Sequence, residues 1–259
     1  MDNYTLIKTI STKGKTAIIK VRRVEDDEIY CIKIQKIQNR KYIEKEITIL
    51  KQIDHPFIIK MKNAFIENEN IYVVLEYCEN GNLKNYLNNV KTSQTKLHLK
   101  QLMSSIYYLH SKCVVHRDLK PENILVTANN EIKLADFDSS TILSHRNQKI
   151  TAYAGTSIYM SPEMMNRKLY GIDVDWWGVG MVGYFMATRK HPFLSHLRKS
   201  SEEIKYRTNF LTPSFPSHLS EKMIWLLNCF LKKQPENRLS LDRMFSEDDE
   251  SLPQFLKMI

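Results

Sequence analysis

One stretch decides the fold of this chain: residues 116–123, which read HRDLKPEN. Its spacing fits the chemistry of phosphoryl transfer. The carboxylate of Asp118 can accept the proton of an attacking hydroxyl, and the ammonium group of Lys120 can neutralise the moving phosphate. Asn123 can supply an oxygen to a magnesium ion. A basic turn before a strand is the alternative, but a match over the whole stretch favours a catalytic loop.

Three further motifs stand on either side of this loop in a fixed order. Residues 30–33 (YCIK) precede it, and residues 135–138 (ADFD) and 161–163 (SPE) follow it. Together these motifs resemble the sequence signatures of eukaryotic protein kinases. The resemblance runs from Tyr4 to about Arg243. The double tryptophan of residues 175–178 (DWWG) and the stretch HPFI at 55–58 look most like the AGC group.

The resemblance implies an α+β, two-lobed fold. A small antiparallel β-sheet lobe with one helix is expected beside a larger, mainly helical lobe. The expected organisation is a single protein kinase domain over residues 1–259, with the small lobe at 1–78, the large lobe at 79–259 and the activation segment at 136–163.

Hydrophobic patterns agree with this division. Short apolar, β-branched runs predict strands at 17–21, 29–34 and 71–75. The turn-rich residues 79–82 mark the predicted hinge. Helical spacing or long apolar character predicts helices around 43–50, 99–109, 174–187 and 223–231. From Ser246 onward we expect a short tail lying on the large lobe.

Composition limits the possible functions. At 259 residues and 42% hydrophobic, the chain can bury a full core. No apolar run approaches the ~20 residues needed to cross a bilayer, and the polar start is not a signal peptide. The four cysteines are too scattered for a disulfide framework or a zinc site. The net charge of +9 is spread along the chain, so neither nucleic acid nor membrane is an expected partner. We expect a cytoplasmic monomer, with nuclear entry left open.

The resemblance also implies site residues. Lys33 is expected to hold the α- and β-phosphates of ATP, and Glu46 to aim it through an ion pair. The implied catalytic residues are Asp118, Lys120, Lys33 and Glu46, and the implied ligands of Mg²⁺ are Asn123 and Asp136. The implied nucleotide-binding residues are Ile10, Ser11, Thr12, Lys13, Gly14, Lys15, Thr16, Ala17, Ile18, Cys31, Lys33, Leu75, Glu76, Cys78, Asn82 and Leu125.

The glycine-rich loop of the family is the first departure from the pattern. All three glycine positions within residues 11–18 are lost, and only Gly14 survives, shifted by one. Side chains at positions that need positive φ would cost about 1 kcal/mol or more each. Our hypothesis is that Lys13 and Lys15 partly replace the missing backbone amides. A P-loop is excluded, because Thr9 replaces its first glycine and a strand follows.

Asp138 is the second departure, since it replaces the glycine that follows Asp136 and Phe137. Aspartate tolerates left-handed backbone angles better than most residues, so the turn can survive. The additional charge could strengthen metal binding, or it could raise the proton affinity of a neighbour by repulsion. The sequence leaves both possibilities open.

The third departure lies in the activation segment. Ala152 occupies the position where AGC relatives usually carry a phosphorylated Thr or Ser. Arg117 could still bind a phosphate, so Thr151 is the first substitute to test and Tyr153 the second. A segment that needs no phosphate is an equally weighted alternative.

Three further expectations follow from the resemblance. Asp175 should hold the backbone of the catalytic loop, and Glu163 should pair with Arg238. Lys120 with Thr156 indicates serine and threonine acceptors. Only Glu122 remains of the glutamates that read arginine upstream of a target, since Asn82 and Phe185 occupy two other such positions, so the basic preference should be weak.

The sequence therefore favours an ATP-dependent serine/threonine protein kinase. The alternative is a pseudokinase, or a low-activity scaffold that binds nucleotide and transfers little phosphate. A small-molecule kinase is disfavoured by the complete activation segment.

Overall fold

A computed structural model describes residues 1–14, 16–88, 94–194 and 200–245. The chain divides into two compact units. The first unit comprises residues 1–81 and 125–138, and the second comprises residues 82–124 and the chain from 139 onward. The first boundary between the two units, after Gly81, falls inside the predicted hinge at residues 79–82. The predicted tail from Ser246 lies outside the described residues.

Strands dominate the first unit and helices the second. The described residues form the strands β1 Tyr4–Lys13, β2 Thr16–Arg23, β3 Ile29–Lys36, β4 Met61–Glu67, β5 Asn70–Glu76, β6 Val114–Val115, β7 Ile124–Val126, β8 Ile132–Leu134 and β9 Thr141–Ile142. They also form the helices α1 Arg40–Gln52, α2 Leu83–Tyr86, α3 Thr95–Ser111, α4 Pro162–Met165, α5 Asp173–Thr188, α6 Ser201–Phe210, α7 Glu221–Phe230 and α8 Leu241–Met244. The predicted strands lie in β2, β3 and β5, and the predicted helices are α1, α3, α5 and α7, so these predictions are confirmed.

The first unit is built on an antiparallel sheet with the strand order β1-β2-β3-β5-β4. Successive side chains of a strand point to opposite faces. Tyr30 and Ile32 belong to an apolar cluster on one face. On the other face, Ile43 of α1 packs against Val73 of β5. Lys33 is paired with Val73 and therefore lies on the face that α1 covers.

The hairpin between β1 and β2 corrects the expectation of strained glycine positions. The three positions that align with the family glycines, Ser11, Lys13 and Thr16, lie in β1 and β2, where Ser11 pairs with Ile18 and Lys13 pairs with Thr16. None of the three has a positive φ, and Gly14, the described residue of the hairpin loop, has a left-handed φ of 58°. Two residues separate the ends of the strands, which is the loop length of a tight hairpin. The retained glycine therefore serves the turn itself.

The hypothesis about Lys13 and Lys15 is not tested by this hairpin. Lys15 lies outside the described residues, as does the side chain of Lys13.

The second unit is organised around α5. Nearly every residue of this helix is buried, and α3 and α7 pack against it. This arrangement confirms the prediction of a central buried helix. With the sheet and α1 of the first unit, it confirms the predicted α+β fold class. None of the helices in the described segments combines the length and the apolar character that a membrane span requires.

Candidate active site

Lys33 of the first unit is surrounded by three carboxylates. Its Nζ lies 3.0 Å from both carboxylate oxygens of Glu46 on α1. It also lies 2.7 Å from Oδ1 of Asp138 and 3.2 Å from Oδ1 of Asp136. The ion pair with Glu46 was predicted and is present. The contact with Asp138 was not predicted.

Burial divides these carboxylates into two kinds. The side chain of Glu46 is 2% exposed, whereas those of Asp136 and Asp138 are 40% and 42% exposed. Burial tends to lower the pKa of Lys33, but the surrounding carboxylates outweigh it and hold that pKa above its usual value. Burial and the nearby charge of Asp138 raise the pKa of Glu46, against the opposing effect of Lys33.

The turn that carries Asp136 and Asp138 differs from the expectation in one respect. The left-handed residue is Asp136, with φ of 65°, whereas Asp138 has no positive φ. Phe137 between them is fully buried. Asp138 therefore needs no tolerance of left-handed angles, and it differs from the family glycine mainly through its charge.

The sheet brings several predicted nucleotide-binding residues onto the face that bears Lys33. Ile18 is paired with Lys33, and Cys31 is paired with Leu75. Burial raises the pKa of the Cys31 thiol to about 11 and that of Cys78 to about 12. Both thiols are therefore neutral and can serve as apolar walls.

The remaining predicted nucleotide-binding residues occupy several elements. Oε1 of Glu76, at the end of β5, accepts a hydrogen bond from the N–H of Lys60 at 2.7 Å and pairs with Lys133 at 3.1 Å. Asn82 lies in the second unit, where its side chain caps α2 by accepting from the N–H of Asn85 at 3.0 Å. The others are Ile10, Ser11, Thr12 and Lys13 on β1, Gly14 in the hairpin, Thr16 and Ala17 on β2, and Leu125 on β7.

Both carboxylate oxygens of Asp118, in the second unit, accept hydrogen bonds. Its Oδ1 accepts from the N–H of Thr156 at 2.7 Å. Nδ2 of Asn123 donates to Oδ2 of Asp118 at 3.0 Å, and Lys120 donates to the same oxygen. Lys120 also reaches the hydroxyl of Thr156 at 2.7 Å. The predicted residues Asp118, Lys120 and Asn123 thus form one hydrogen-bonded group, which Thr156 completes.

The close approach of the activation segment to this loop depends on Gly155. Its φ is 93°, a left-handed conformation that favours glycine. A Cβ atom at this position would also collide with the carbonyl oxygen of Arg117. Glycine therefore lets the N–H of Thr156 reach Asp118.

Asp175 holds the backbone of the catalytic loop, as predicted. Its two carboxylate oxygens accept from the N–H groups of His116 and Arg117, each at 2.8 Å. The carboxylate is 1% exposed and also lies 3.0 Å from Nε2 of His110 on α3. Arg117, whose N–H points at Asp175, has a left-handed φ of 68°.

His110 contacts the carboxylate of Asp175 and also that of Asp242, near the end of the described chain. Its Nδ1 lies 2.6 Å from Oδ2 of Asp242 on α8. That oxygen also accepts from the indole N–H of Trp176 at 2.6 Å, and Arg146 pairs with Oδ1 at 2.8 Å. Burial tends to lower the pKa of His110, but the two carboxylates raise it to about 9. His110 is thus an imidazolium near neutral pH.

The guanidinium group of Arg117 has neutral acceptors. Nε donates to the carbonyl of Ser139 at 2.7 Å, and Nη2 reaches that of Ser140 at 3.4 Å. Nη1 donates to the hydroxyl of Tyr170 at 3.1 Å. Tyr170 in turn donates to the carbonyl of Ala152. Arg117 is thereby connected to the residue that replaces the usual phosphorylation site.

The predicted structural pair also forms. Arg238 binds Glu163 through two parallel hydrogen bonds of 2.8 and 3.0 Å. The same guanidinium donates to the carbonyl of Asp173 at the start of α5, at 2.8 Å. The pair therefore fixes the end of the activation segment to the central helix.

Sequence reasoning missed Tyr170, His110 and Asp242. A signal existed for His110, because the buried charge of Asp175 demanded partners and a histidine ends the predicted helix before the catalytic loop. No comparable signal marked Tyr170. Its role depends on backbone carbonyls, which any sequence can supply.

Comparisons with known proteins agree with this geometry. Residues 4–248 match a family model described as protein kinase domain. Serine/threonine-protein kinase AtPK1/AtPK6 of Arabidopsis thaliana is 31% identical over 248 residues, covering 92% of this chain and 52% of that protein. Serine/threonine-protein kinase cds1 of Schizosaccharomyces pombe is 31% identical over 261 residues, covering 92% of this chain and 56% of that protein. Ribosomal protein S6 kinase alpha-1 of Homo sapiens is 31% identical over 248 residues, covering 92% of this chain and 33% of that protein. The chain thus spans about half the length, or less, of these relatives.

Proposed function

Since the chain belongs to the protein kinase domain family, we propose that it transfers the γ-phosphate of ATP to serine and threonine hydroxyls of proteins. The observation that carries the proposal is the orientation of Asp118. Thr156 and Asn123 hold its carboxylate at 2.7 and 3.0 Å, so it can accept the proton of a substrate hydroxyl. Lys120, bound to Asp118 and to Thr156, can neutralise charge on the transferred phosphate.

The residues predicted to bind magnesium have suitable chemistry. Asp136 offers a carboxylate that is 40% exposed. Asn123 donates to Asp118 through its amide nitrogen, which leaves its amide oxygen as the atom for a cation. Both are hard oxygen ligands of the kind that Mg²⁺ prefers. When bound, the ion would neutralise charge on the nucleotide phosphates.

Lys33 is the residue proposed to bind the α- and β-phosphates. Its ion pair with the buried Glu46 fixes the direction of its side chain. The apolar side chains of Ile18, Cys31 and Leu75, on the same face of the sheet, suit the adenine ring.

The proposed substrates are proteins with a weak preference for basic residues near the acceptor. Glu122 would read such a residue, but its Oε1 already pairs with Lys84 at 2.8 Å. This internal partner supports a weak preference, and a peptide array that shows strong dependence on upstream arginine would contradict it. The free state of all four cysteines suits the reducing cytoplasm, where we propose that the protein acts as a monomer.

One experiment tests the activity. The purified chain is incubated with labelled Mg-ATP and a generic serine-containing protein, and Asp118→Asn is compared with the unmodified chain. We expect the variant to lose about 10²- to 10⁴-fold in rate, because the proton acceptor is removed. The matched control is Asp27→Asn, which changes an aspartate that is 81% exposed. Its rate should stay within about twofold of the unmodified chain.

Two results would contradict the proposal. Equal transfer by the unmodified chain and Asp118→Asn would show that another group or a contaminant is responsible. Nucleotide binding without transfer by the unmodified chain would favour the scaffold alternative.

A further inference from the structure

The ammonium group of Lys33 has no donor to spare. It carries three N–H bonds. Four carboxylate oxygens, two from Glu46 and one each from Asp136 and Asp138, lie within 3.2 Å of Nζ. A phosphate oxygen that binds Lys33 must therefore share or displace one of these acceptors.

Glu46 is not the acceptor that gives way. Both its oxygens contact Nζ, and it is almost completely buried between α1 and the sheet. Asp136 and Asp138 are far more exposed and lie at the open side of the cluster. Of these two, Asp138 makes the shorter contact, at 2.7 Å against 3.2 Å for Asp136.

Asp138 also changes the charge that an incoming phosphate meets. The family pattern has glycine at this position, which brings no acceptor and no charge. Here a carboxylate contacts Lys33 directly, so a phosphate would approach a cation whose charge is already compensated. Both the occupied donor and the added negative charge oppose phosphate binding.

We infer that Asp138 competes with the nucleotide phosphates for Lys33 and thereby sets a low affinity of this chain for ATP. The inference rests on the proposed function, because it takes Lys33 as the phosphate-binding residue. It assigns Asp138 a positioning role, since the carboxylate acts through Lys33. It is distinct from both possibilities that the sequence left open for this charge, which were stronger metal binding and a raised proton affinity of a neighbour.

The competing explanation is that Asp138 is a ligand of a divalent cation. One oxygen from each of Glu46, Asp136 and Asp138 lies within 4.8 Å of the others, so a shared cation is geometrically conceivable. The two explanations differ when metal is removed. A competitor of phosphate acts with or without metal, whereas a metal ligand acts only when metal is present.

The test measures the dissociation constant of ADP by calorimetry, in excess EDTA and again in excess Mg²⁺. The variants are Asp138→Asn, which keeps the shape and removes the charge, and Asp138→Gly, which restores the family residue. We expect both to bind ADP about fivefold more tightly than the unmodified chain in EDTA. The control Asp27→Asn removes an equivalent carboxylate from a pair of 2.8 Å with Arg22, and its dissociation constant should not change.

The outcomes separate the inference from the proposed function. Unchanged or weaker ADP binding by both variants in EDTA would overturn the inference, and weaker binding only in Mg²⁺ would identify Asp138 as a metal ligand. If neither the unmodified chain nor either Asp138 variant binds nucleotide in either buffer, the proposed function fails and the inference with it. Thermal unfolding without nucleotide verifies that each variant is folded. If Asp138→Asn and Asp138→Gly change ADP binding alike, the change comes from loss of the carboxylate and not from the new side chain or the added backbone freedom.

Discussion

Two cations that the family directs at phosphates have opposite surroundings in this chain. Lys33 of the first unit contacts the carboxylates of Glu46, Asp136 and Asp138. Arg117 of the second unit donates to carbonyl oxygens and to the hydroxyl of Tyr170. Within the described residues, no carboxylate forms an ion pair with its guanidinium group.

The difference shows what each cation requires. If Lys33 binds nucleotide as proposed, a phosphate must share or displace one of its anionic partners, so these neighbours would influence the affinity for ATP. The position of Arg117 is fixed by neutral groups that are always present, so it can organise the activation segment without a phosphate. Negative charge thus controls the first cation and hydrogen-bond geometry controls the second.

The largest expected effect comes from removing the cation of the first unit. Lys33→Met leaves Glu46 buried beside two other carboxylates, and loss of one partner of a buried ion pair is strongly destabilising. We expect the free energy of unfolding in urea to fall by roughly 3 kcal/mol. The double variant Lys33→Met with Glu46→Gln should recover part of this loss, because the buried side chain is then neutral.

The control for this prediction is Lys60→Met. Lys60 pairs with Asp54 at 3.3 Å, and the two side chains are 55% and 82% exposed. Its loss should cost no more than about 0.5 kcal/mol. If the double variant is no more stable than Lys33→Met, charge is not what makes the surroundings of Lys33 sensitive.

The next effect sharpens the comparison. The second unit also contains ionic contacts, but there the carboxylate of Asp175 binds the backbone N–H of Arg117 and not its guanidinium group. His110 faces the carboxylates of Asp175 and Asp242 and the ring of Trp176, and Arg146 faces Asp242. The pKa of His110 is raised from 6.5 to about 9. The stabilisation is therefore complete below pH 6.5 and is lost as pH rises through about 9.

The measurement is urea unfolding between pH 6.5 and pH 8. Lys233, whose pKa is lowered by burial to about 8, begins to lose its proton in the upper part of this range and contributes with the opposite sign. The profile is therefore compared with that of His110→Gln. We expect the stability advantage of the unmodified chain over His110→Gln to fall by about 1–2 kcal/mol over this range. His110→Gln should be less stable at pH 6.5 and show a flatter profile, and an unchanged slope in this variant would exclude His110 as the titrating group.

The catalytic loop and the pair of Lys33 with Glu46 could be predicted from the sequence. Asp118, Lys120 and Asn123 lie within one short stretch, so local spacing determines their geometry. The pair of Lys33 and Glu46 was implied by the family resemblance, and in the structure only the 3-10 turn Ile37–Asn39 separates strand β3 from helix α1. The order of a few elements then brings the two side chains together.

The partners of Asp138 and Arg117 could not be predicted in the same way. Asp138 meets Lys33 across 105 positions of sequence. Asp136 and Asp138 both contact Lys33, and the sequence does not indicate that Asp138 makes the shorter contact. Arg117 and Tyr170 are 53 positions apart and meet through a hydroxyl and backbone carbonyls, which leave no mark on the sequence.

The smallest expected effect concerns Arg117, the cation that has uncharged partners. Tyr170→Phe removes the hydroxyl that accepts from Arg117 and donates to Ala152. We expect a loss of about 1 kcal/mol in the free energy of unfolding, together with faster proteolysis of residues 146–156. Tyr206→Phe is the control, because Tyr206 is 56% exposed, and it should change neither quantity.

Thr151→Ala completes this test. If Tyr170 connects the activation segment to Arg117, removal of the nearby phosphorylation candidate should leave the transfer rate within about twofold, and phosphatase treatment should not lower it. Should Thr151→Ala abolish transfer while Tyr170→Phe has no effect, a phosphate rather than the tyrosine hydroxyl would be the functional partner of Arg117. The two cations would then both depend on negative charge, and the contrast between the units would be wrong.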